Sequence, residues 1–425
     1  IAAANGVTEV IVGRDGLLST PAASHLIRSR KADAGLILSA SHNPGGEDGD
    51  FGIKLNMGNG GPAPQSVTDA IYEKTKVLTS YKIANTPAAD LCECGKFTIA
   101  GMSVEVVDPV ADYADLMETQ FDFAAIRNWR QNGGRLLFDA LNAVTGPYGT
   151  EIFETRLGFE TGAVIHGIPL RDFGGLHPDP NPVHAHELVG LMAQADAPDL
   201  GAASDGDGDR NLIVGRNLVV SPSDSLAVLA ANAHLVPAFR EGLSGVARSM
   251  PTSSAVDRVA EALAIPVFET PTGWKFFGSL LDAGLVQLCG EESAGTGGAH
   301  VREKDGVWAI LFWLNILAAT GLSVAQIMER HWQRFGRTFY VRHDFEGLDE
   351  GRAMELFAAL EGRTAGLPGE IHGGLEVQAA DVFEYRDPST GEVSGHQGVR
   401  VLFTDASRLV VRLSGTGTSG ATLRV

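Results

Sequence analysis

Seven residues, Ser204-Asp205-Gly206-Asp207-Gly208-Asp209-Arg210, constrain this chain more than any others. Apolar runs at 200–203 and 212–214 flank them, so the loop joins two segments that want to be buried. Alternate carboxylates diverge in an extended chain, but intervening glycines let a loop curl until all three face one another. Three close carboxylates repel unless a cation sits among them, and hard oxygen donors suit Mg2+ or Ca2+. An EF-hand is excluded, because the positions where it needs Gly and Glu hold Arg210 and Arg216. A solvated acidic turn is the plain alternative. Arg210 argues for a site where cation and guanidinium share a phosphate, as phosphoryl transfer requires.

Comparable loops recur after short strands. A buried strand is expected at 35–39, running into Ala40-Ser41-His42-Asn43-Pro44-Gly45-Gly46, and another at 285–289, running into Gly290-Glu291-Glu292-Ser293-Ala294-Gly295. Helices are expected at 20–30, opened by Ser19-Thr20-Pro21, and at 65–78, 147–157, 184–195, 253–263 and 274–282, with one from Ser223-Asp224 to about 235. Further strands are read at 8–12, 135–140, 246–249 and 266–269, and 106–125 reads as a join. From about Ser323 the order changes to a polar helix (324–335), a strand at 338–344, a helix at 350–360 and strands at 377–385, 399–403 and 409–413. The expected fold is therefore α/β: three similar mixed α/β domains (1–112, 113–235, 236–320) and a C-terminal α+β domain (321–425) around a central cleft.

With 33 Lys+Arg against 52 Asp+Glu, the formal charge of −19 argues against nucleic acid or an anionic membrane surface as the main partner. An anionic substrate would need local cationic clusters. Three cysteines without a Cys-x-x-Cys pair fit a reducing, cytoplasmic setting. The apolar run at 307–319 contains Asn315, is too short to span a bilayer, and reads as a core helix carrying Trp308, Phe312 and Trp313. Residues 1–6 read as a helix tail and 423–425 as the middle of a strand, so the chain is expected to be a piece of a longer protein.

Ser41 is a loop hydroxyl among His and Asn, without the Gly-x-Ser-x-Gly elbow of acyl transfer; a structural turn serine is its ordinary reading. Lys54 in Asp50-Phe51-Gly52-Ile53-Lys54-Leu55-Asn56 is either a surface lysine or a cation for that loop. Glu291 and Ser293 can hydrogen-bond hydroxyl groups or form a surface turn. Gly415-Thr416-Gly417-Thr418-Ser419-Gly420 matches the dinucleotide pattern weakly, having no room for a following helix. With Arg412, Ser414 and Arg424 it reads better as a phosphate cradle. His184-Ala185-His186 does not read as a metal pair, and the 177–182 loop has no assignable role.

Together these stretches resemble, in order, the phosphoserine, metal, sugar-binding and phosphate-binding loops of the α-D-phosphohexomutase superfamily. Pro271-Thr272-Gly273-Trp274-Lys275-Phe276-Phe277-Gly278 and Arg302-Glu303-Lys304-Asp305-Gly306 are similar to the branch acting on glucose phosphates. Ser39 stands where the pattern usually has Thr, and the opening strand and helix of the first domain have no counterpart here. The resemblance implies that Ser41 is the phosphorylated nucleophile and that Asp205, Asp207 and Asp209, with a phosphoserine oxygen on Ser41, hold one Mg2+ per chain. It implies charge stabilisation by Arg210 and Lys54, and proton handling by His42 or Lys304, the lysine being depressed by cations such as Arg302. Thr272, Gly273, Glu291, Ser293 and Arg302 would meet the sugar phosphate, and Arg412, Ser414, Thr416 and Arg424 the phosphate that is not reacting. The implied reaction interconverts glucose 1-phosphate and glucose 6-phosphate through glucose 1,6-bisphosphate, by a monomer or weak homodimer. A sibling mutase for mannose or N-acetylglucosamine phosphate, and a non-catalytic scaffold, are the alternatives.

Overall fold

The computed structural model describes residues 1–47, 49–415 and 420–425. The first unit contains β1 (Glu9–Gly13), α1 (Thr20–Arg30), β2 (Ala34–Leu38), β3 (Ile53–Met57), α2 (Gln65–Val77), β4 (Gly95–Ile99) and β5 (Met102–Val107). β1 runs parallel to β5, β5 pairs antiparallel with β4, and β2 pairs with β3 in a separate antiparallel ribbon. Ser19 caps α1 by accepting from the Ala22 N–H, and Pro21 lies in the first turn, where a missing donor costs nothing.

The second unit contains α3 (Ala111–Gln120), α4 (Phe123–Gln131), β6 (Leu136–Asp139), α5 (Gly146–Gly149), β7 (Val164–Ile165), α6 (His186–Met192), β8 (Leu200–Ser204), β9 (Asn211–Gly215) and β10 (Leu218–Val220). Its sheet has the order β10-β9-β8-β6-β7, with β6 parallel to both β7 and β8. Every residue of β8 and β9 is buried, which is why both read as uninterrupted small and apolar runs rather than alternating ones.

The third unit contains α7 (Pro222–Ala231), β11 (Val246–Ser249), α8 (Ala255–Leu263), β12 (Val267–Thr270), α9 (Lys275–Asp282), β13 (Leu288–Gly290), β14 (Thr296–Gly298) and α10 (Gly306–Thr320). β11 lies between β12 and β13, parallel to both. α10 is apolar on all sides and accordingly buried on all sides. Its Trp308, Phe312 and Trp313 join a core cluster reaching α3, α4, α7 and α8. Each large side chain buried there contributes roughly 1.5–3 kcal/mol relative to exposure.

The last unit contains α11 (Val324–Phe335), β15 (Asp344–Leu348), α12 (Glu350–Arg363), β16 (Ile371–His372), β17 (Leu375–Val382), β18 (Tyr385–Arg386), β19 (Val393–Ser394), β20 (Val399–Phe403), β21 (Arg408–Gly415) and β22 (Ala421–Arg424). Six strands form one antiparallel sheet, β15-β22-β21-β20-β17-β16. Among the described residues no single helix is long and apolar enough to cross a membrane.

Several expectations need correction. The strand expected to be buried at 35–39 is β2, and Leu36 and Leu38 are exposed because, among the described residues, only β3 is hydrogen-bonded to it. The stretch read as a join holds the end of β5 and all of α3, whose Tyr113, Ala114 and Met117 are buried. The helix expected at 147–157 starts as the four-residue α5 and widens into a π-helical stretch, Thr150–Arg156. α7 is capped by Ser221 rather than opened by Ser223, since the Ser221 hydroxyl is the one that accepts from Asp224 N–H. The strand expected at 338–344 begins at Asp344, because pairing with the last strand starts only at His343, which exchanges hydrogen bonds with Val425.

Candidate active site and metal centre

The loop between β8 and β9 turns at Gly208, whose φ of +83° belongs to the left-handed region that glycine adopts without penalty. This turn buries Asp205, Asp207 and Asp209, and one carboxylate oxygen from each lies within 4.8 Å of those of the other two. Asp205 Oδ1 accepts from the Arg210 N–H at 2.9 Å, while Asp205 Oδ2 and Asp207 Oδ1 are buried without a hydrogen bond among the described residues. Asp209 Oδ1 meets the Lys304 ammonium at 3.1 Å. Burial, with Asp209 and Asp207 alongside, pushes Asp205 well above the usual carboxylate range. Burial also works upward on Asp209, but Lys304, Lys54 and Arg210 together hold it low. Buried, unsatisfied, mutually repelling oxygens on a tight loop are what a hard divalent cation satisfies, so the donor set fits Mg2+.

The first unit brings its loop against this one. Ser41 has a φ of +59°, which is sparsely populated for a residue with a β-carbon, and its N–H donates to Ser39 Oγ at 2.8 Å. Its carbonyl lies so close to Gly206 that a β-carbon there would sit 2.2 Å from it. Gly206 is therefore required for the two loops to touch. His42 Nδ1 is 3.4 Å from Ser41 Oγ, and burial, with Arg210 close by, holds this imidazole at about 4. From β3, Lys54 Nζ reaches Asp207 Oδ2 at 2.5 Å and Asp209 Oδ2 at 3.3 Å. Burial opposes its charge, but the two carboxylates outweigh it and raise the lysine.

The third unit is stitched onto the same loop. Arg210 pairs with Gly295 in an isolated bridge, Asn211 N–H donates to Ala294 O at 3.0 Å, and Gly306 N–H donates to Gly208 O at 3.1 Å. Glu291 follows β13, is buried, and accepts from Gly273 N–H at 3.0 Å through Oε1. Thr272 Oγ1 is buried and has no hydrogen-bond partner among the described residues, and Ser293 lies half-buried in the turn. Glu292 faces elsewhere, accepting from Ser249 and Thr252 hydroxyls.

One expectation fails at this point, and Arg302 has partners that the sequence did not show. Arg302 is buried and occupied: Nε donates to Asp282 Oδ1 at 2.5 Å and Nη1 to the Ala299 and Val301 carbonyls, while its N–H binds Ser24 Oγ. Its backbone N–H ties the third unit to the first, and its guanidinium is held through Nε and Nη1 within the third unit. Lys304 is not depressed either; burial is the largest single effect and acts downward, but Asp209 with Glu291 leaves the lysine raised and its ammonium stabilised.

In the last unit Arg412 on β21 and Arg424 on β22 are direct partners across the ladder, which places both side chains on one face. A cavity of about 530 Å3 opens beside them, lined also by Glu292, Tyr340, Arg342 and Arg408. Asp344 balances Arg342 and approaches Arg424 Nε at 3.7 Å. Ser414 Oγ donates to Thr422 O at 3.4 Å. Thr416 lies outside the described residues.

Sequence reading missed three side chains at this centre, two of them buried. Glu303, pushed to about 8 by burial, accepts from Asn56 Nδ2 at 2.8 Å. Asp179 lies 3.8 Å from Arg210 Nη1. The Thr20 hydroxyl donates to Asp207. A charged residue inside Arg302-Glu303-Lys304-Asp305 was a usable signal for Glu303; Thr20 had none beyond its place at a helix start. The 177–182 loop, left without a role, packs Pro178 against Gly206 and stacks His177 on His184.

Models of the phosphoglucomutase/phosphomannomutase alpha/beta/alpha domains I, II and III match residues 1–82, 111–218 and 222–335, and that of the phosphoglucomutase-1 C-terminal domain matches 337–425. The chain belongs to the phosphoglucomutase/phosphomannomutase family. Its similarity within that family is high: 57% identity to a phosphoglucomutase of Rhizobium radiobacter, over 100% of this chain and 78% of the relative. A chloroplastic phosphoglucomutase 1 of Marchantia polymorpha is 50% identical, over 100% and 67%. Among solved structures, the open form of the Paramecium phosphoprotein pp63/parafusin, described as a phosphoglucomutase, superposes with a TM-score of 0.90 at 46% identity, covering 99% of this chain and 78% of that one. Relatives in this family include both cytoplasmic and chloroplastic proteins.

Proposed function

We propose that the chain is a phosphoglucomutase, interconverting glucose 1-phosphate and glucose 6-phosphate through a phosphoserine at Ser41 and glucose 1,6-bisphosphate. What carries this reading is the contact of the Ser41 loop with the buried Asp205/Asp207/Asp209 loop, with Glu291 and Lys304 closing the same centre. The full-length similarity to proteins named phosphoglucomutase favours glucose phosphates over other hexose phosphates.

Phospho-Ser41 donates its phosphoryl group to the free hydroxyl of a bound sugar phosphate. The P–Oγ bond breaks as a P–O bond to the sugar forms, and the hydroxyl proton passes to His42, whose imidazole is neutral, while Lys304 stays charged beside Asp209. The bisphosphate turns end for end, and its other phosphoryl group returns to Ser41 while the proton is given back. Asp205, Asp207 and Asp209 would hold Mg2+, which when bound draws negative charge off the phosphoryl oxygens. Arg210 and Lys54 add fixed positive charge at that pole. Thr272, Glu291 and Ser293 take the sugar hydroxyls, and Arg412 and Arg424 the distal phosphate, which gives a chain of net charge −19 the cations its substrate needs. The free Cys92, Cys94 and Cys289 are in keeping with a cytoplasmic setting.

Labelled glucose 1,6-bisphosphate tests the core of this. The intact protein should take up phosphate at Ser41, and Ser41→Ala should take up none and lose turnover on the order of a thousand-fold. Near-normal turnover in Ser41→Ala would overturn the reading.

A further inference from the structure

Thr20 is the first residue of α1 and is completely buried. Its hydroxyl donates to Asp207 Oδ2 at 2.7 Å, and its N–H donates to the Asp207 carbonyl at 2.9 Å. Capping does not need this hydroxyl, since Ser19 caps the helix. The helix start is itself wedged in place. Ser19 N–H donates to the Tyr148 hydroxyl at 3.1 Å, and a β-carbon on Gly208 would lie 3.2 Å from Ser19 Cβ and 2.8 Å from Thr145 Cγ2. Lys54 Nζ shares Asp207 Oδ2, so that oxygen receives two donors while Oδ1 is buried and receives none among the described residues.

We infer that Thr20 is a positioning residue for the cation, fixing the Asp207 carboxylate so that Oδ1 alone is presented as a one-oxygen ligand. The inference rests on the metal reading of the acidic loop given above. Lys54 does not do this by itself, because a flexible ammonium stem lies between two carboxylates and is satisfied by either. A hydroxyl on a stiff β-branched side chain at a helix start has no such freedom. Partners of this kind orient ligating carboxylates, and their loss typically weakens metal binding about 10–100-fold. The arrangement also makes the first unit part of the metal site of the second, because α1 moves only if Asp207 moves with it.

Mn2+ binding, followed by loss of the free-ion spin-resonance signal, reads the inference without using activity. Thr20→Val should bind Mn2+ about 10–100-fold more weakly than the unmodified chain, and Thr20→Ser, which keeps the donor, within about three-fold of it. If Thr20→Val does not fold, Thr20→Ala gives the same reading. Melting temperatures taken without cation separate a packing role, which would lower them and leave Mn2+ affinity alone. Unchanged affinity in the hydroxyl-less variant, against an unmodified chain that binds, overturns the role of Thr20. An unmodified chain that binds no more Mn2+ than Asp207→Asn overturns the metal reading itself, and Thr20 with it.

Discussion

Replacing Gly295 by alanine places a methyl group where the third unit meets the acidic loop. Gly295 is buried and bridged to Arg210, its carbonyl accepts from Glu291 N–H at 2.8 Å, and its backbone is not in the left-handed region, so alanine is conformationally acceptable. The new β-carbon would lie 2.3 Å from Lys304 Cδ, 3.1 Å from Lys304 Cγ and 3.3 Å from Glu291 Oε2. Ordinary contact begins near 3.4 Å, so the lysine stem must withdraw by about 1 Å and its ammonium must leave Asp209 Oδ1. Misplacing a group by that much costs about a hundred-fold in rate, equivalent to about 2.7 kcal/mol of transition-state stabilisation. Overpacking at one site costs roughly 1–3 kcal/mol of stability, which a chain of this size survives. The assay is kcat/KM on glucose 1-phosphate with Mg2+, beside a urea unfolding curve. Gly278→Ala is the comparator: it adds a methyl inside α9 with nothing within 4 Å, so stability should rise by up to about 1 kcal/mol without loss of rate. A folded Gly295→Ala protein with kcat/KM within about three-fold of the unmodified chain refutes the reasoning. So does a Gly295→Ala, Lys304→Met double variant much slower than Lys304→Met alone, since the damage would then not run through the lysine.

Glu269 ties the third unit to the last, accepting from Arg248 at 2.7 Å, Arg408 at 2.9 Å and Arg400. Glu269→Gln should cost roughly 2 kcal/mol in urea unfolding, with a smaller loss at high salt, because three guanidinium groups lose their shared anion; an unchanged midpoint would show that the arginines find other partners. His331 is buried with both ring nitrogens unpaired among the described residues, and burial beside Arg258 and Arg334 holds it at about 4. The unfolded chain takes up this proton near 6.5 and the folded one does not, so the contribution is full above pH 6.5 and falls by up to about 3 kcal/mol as pH drops to 4. His331→Leu should flatten that part of the stability curve, and a slope identical in both proteins would exclude His331 as its source.

The acidic loop, the cap of α1 and the all-apolar α10 were legible because each is a local property. Glycine spacing, a capping hydroxyl and a helix with no polar face act within a few residues, and so do the short buried strands ahead of the acidic and Glu291 loops. Partners distant in the chain were not legible. Arg302 read as a substrate donor because nothing nearby in sequence reveals Asp282 as its acceptor, and Lys304 read as depressed because the carboxylate that raises it comes from the second unit.

Residues 338–342 have the composition of a strand, yet among the described residues they have no ladder partner, and a strand forms only where one exists. β2 carries core-type residues, yet burial is set by what packs on a face, and among the described residues only β3 is bonded to it. By itself the sequence determined most of the residues that could do chemistry and the type of most helical and strand segments. Tertiary structure alone decided which of them meet: Ser41 against Gly206, Thr20 and Lys54 on one oxygen of Asp207, Glu303 on Asn56. Those contacts join residues more than 150 positions apart, and only the packing of the units against one another selects them.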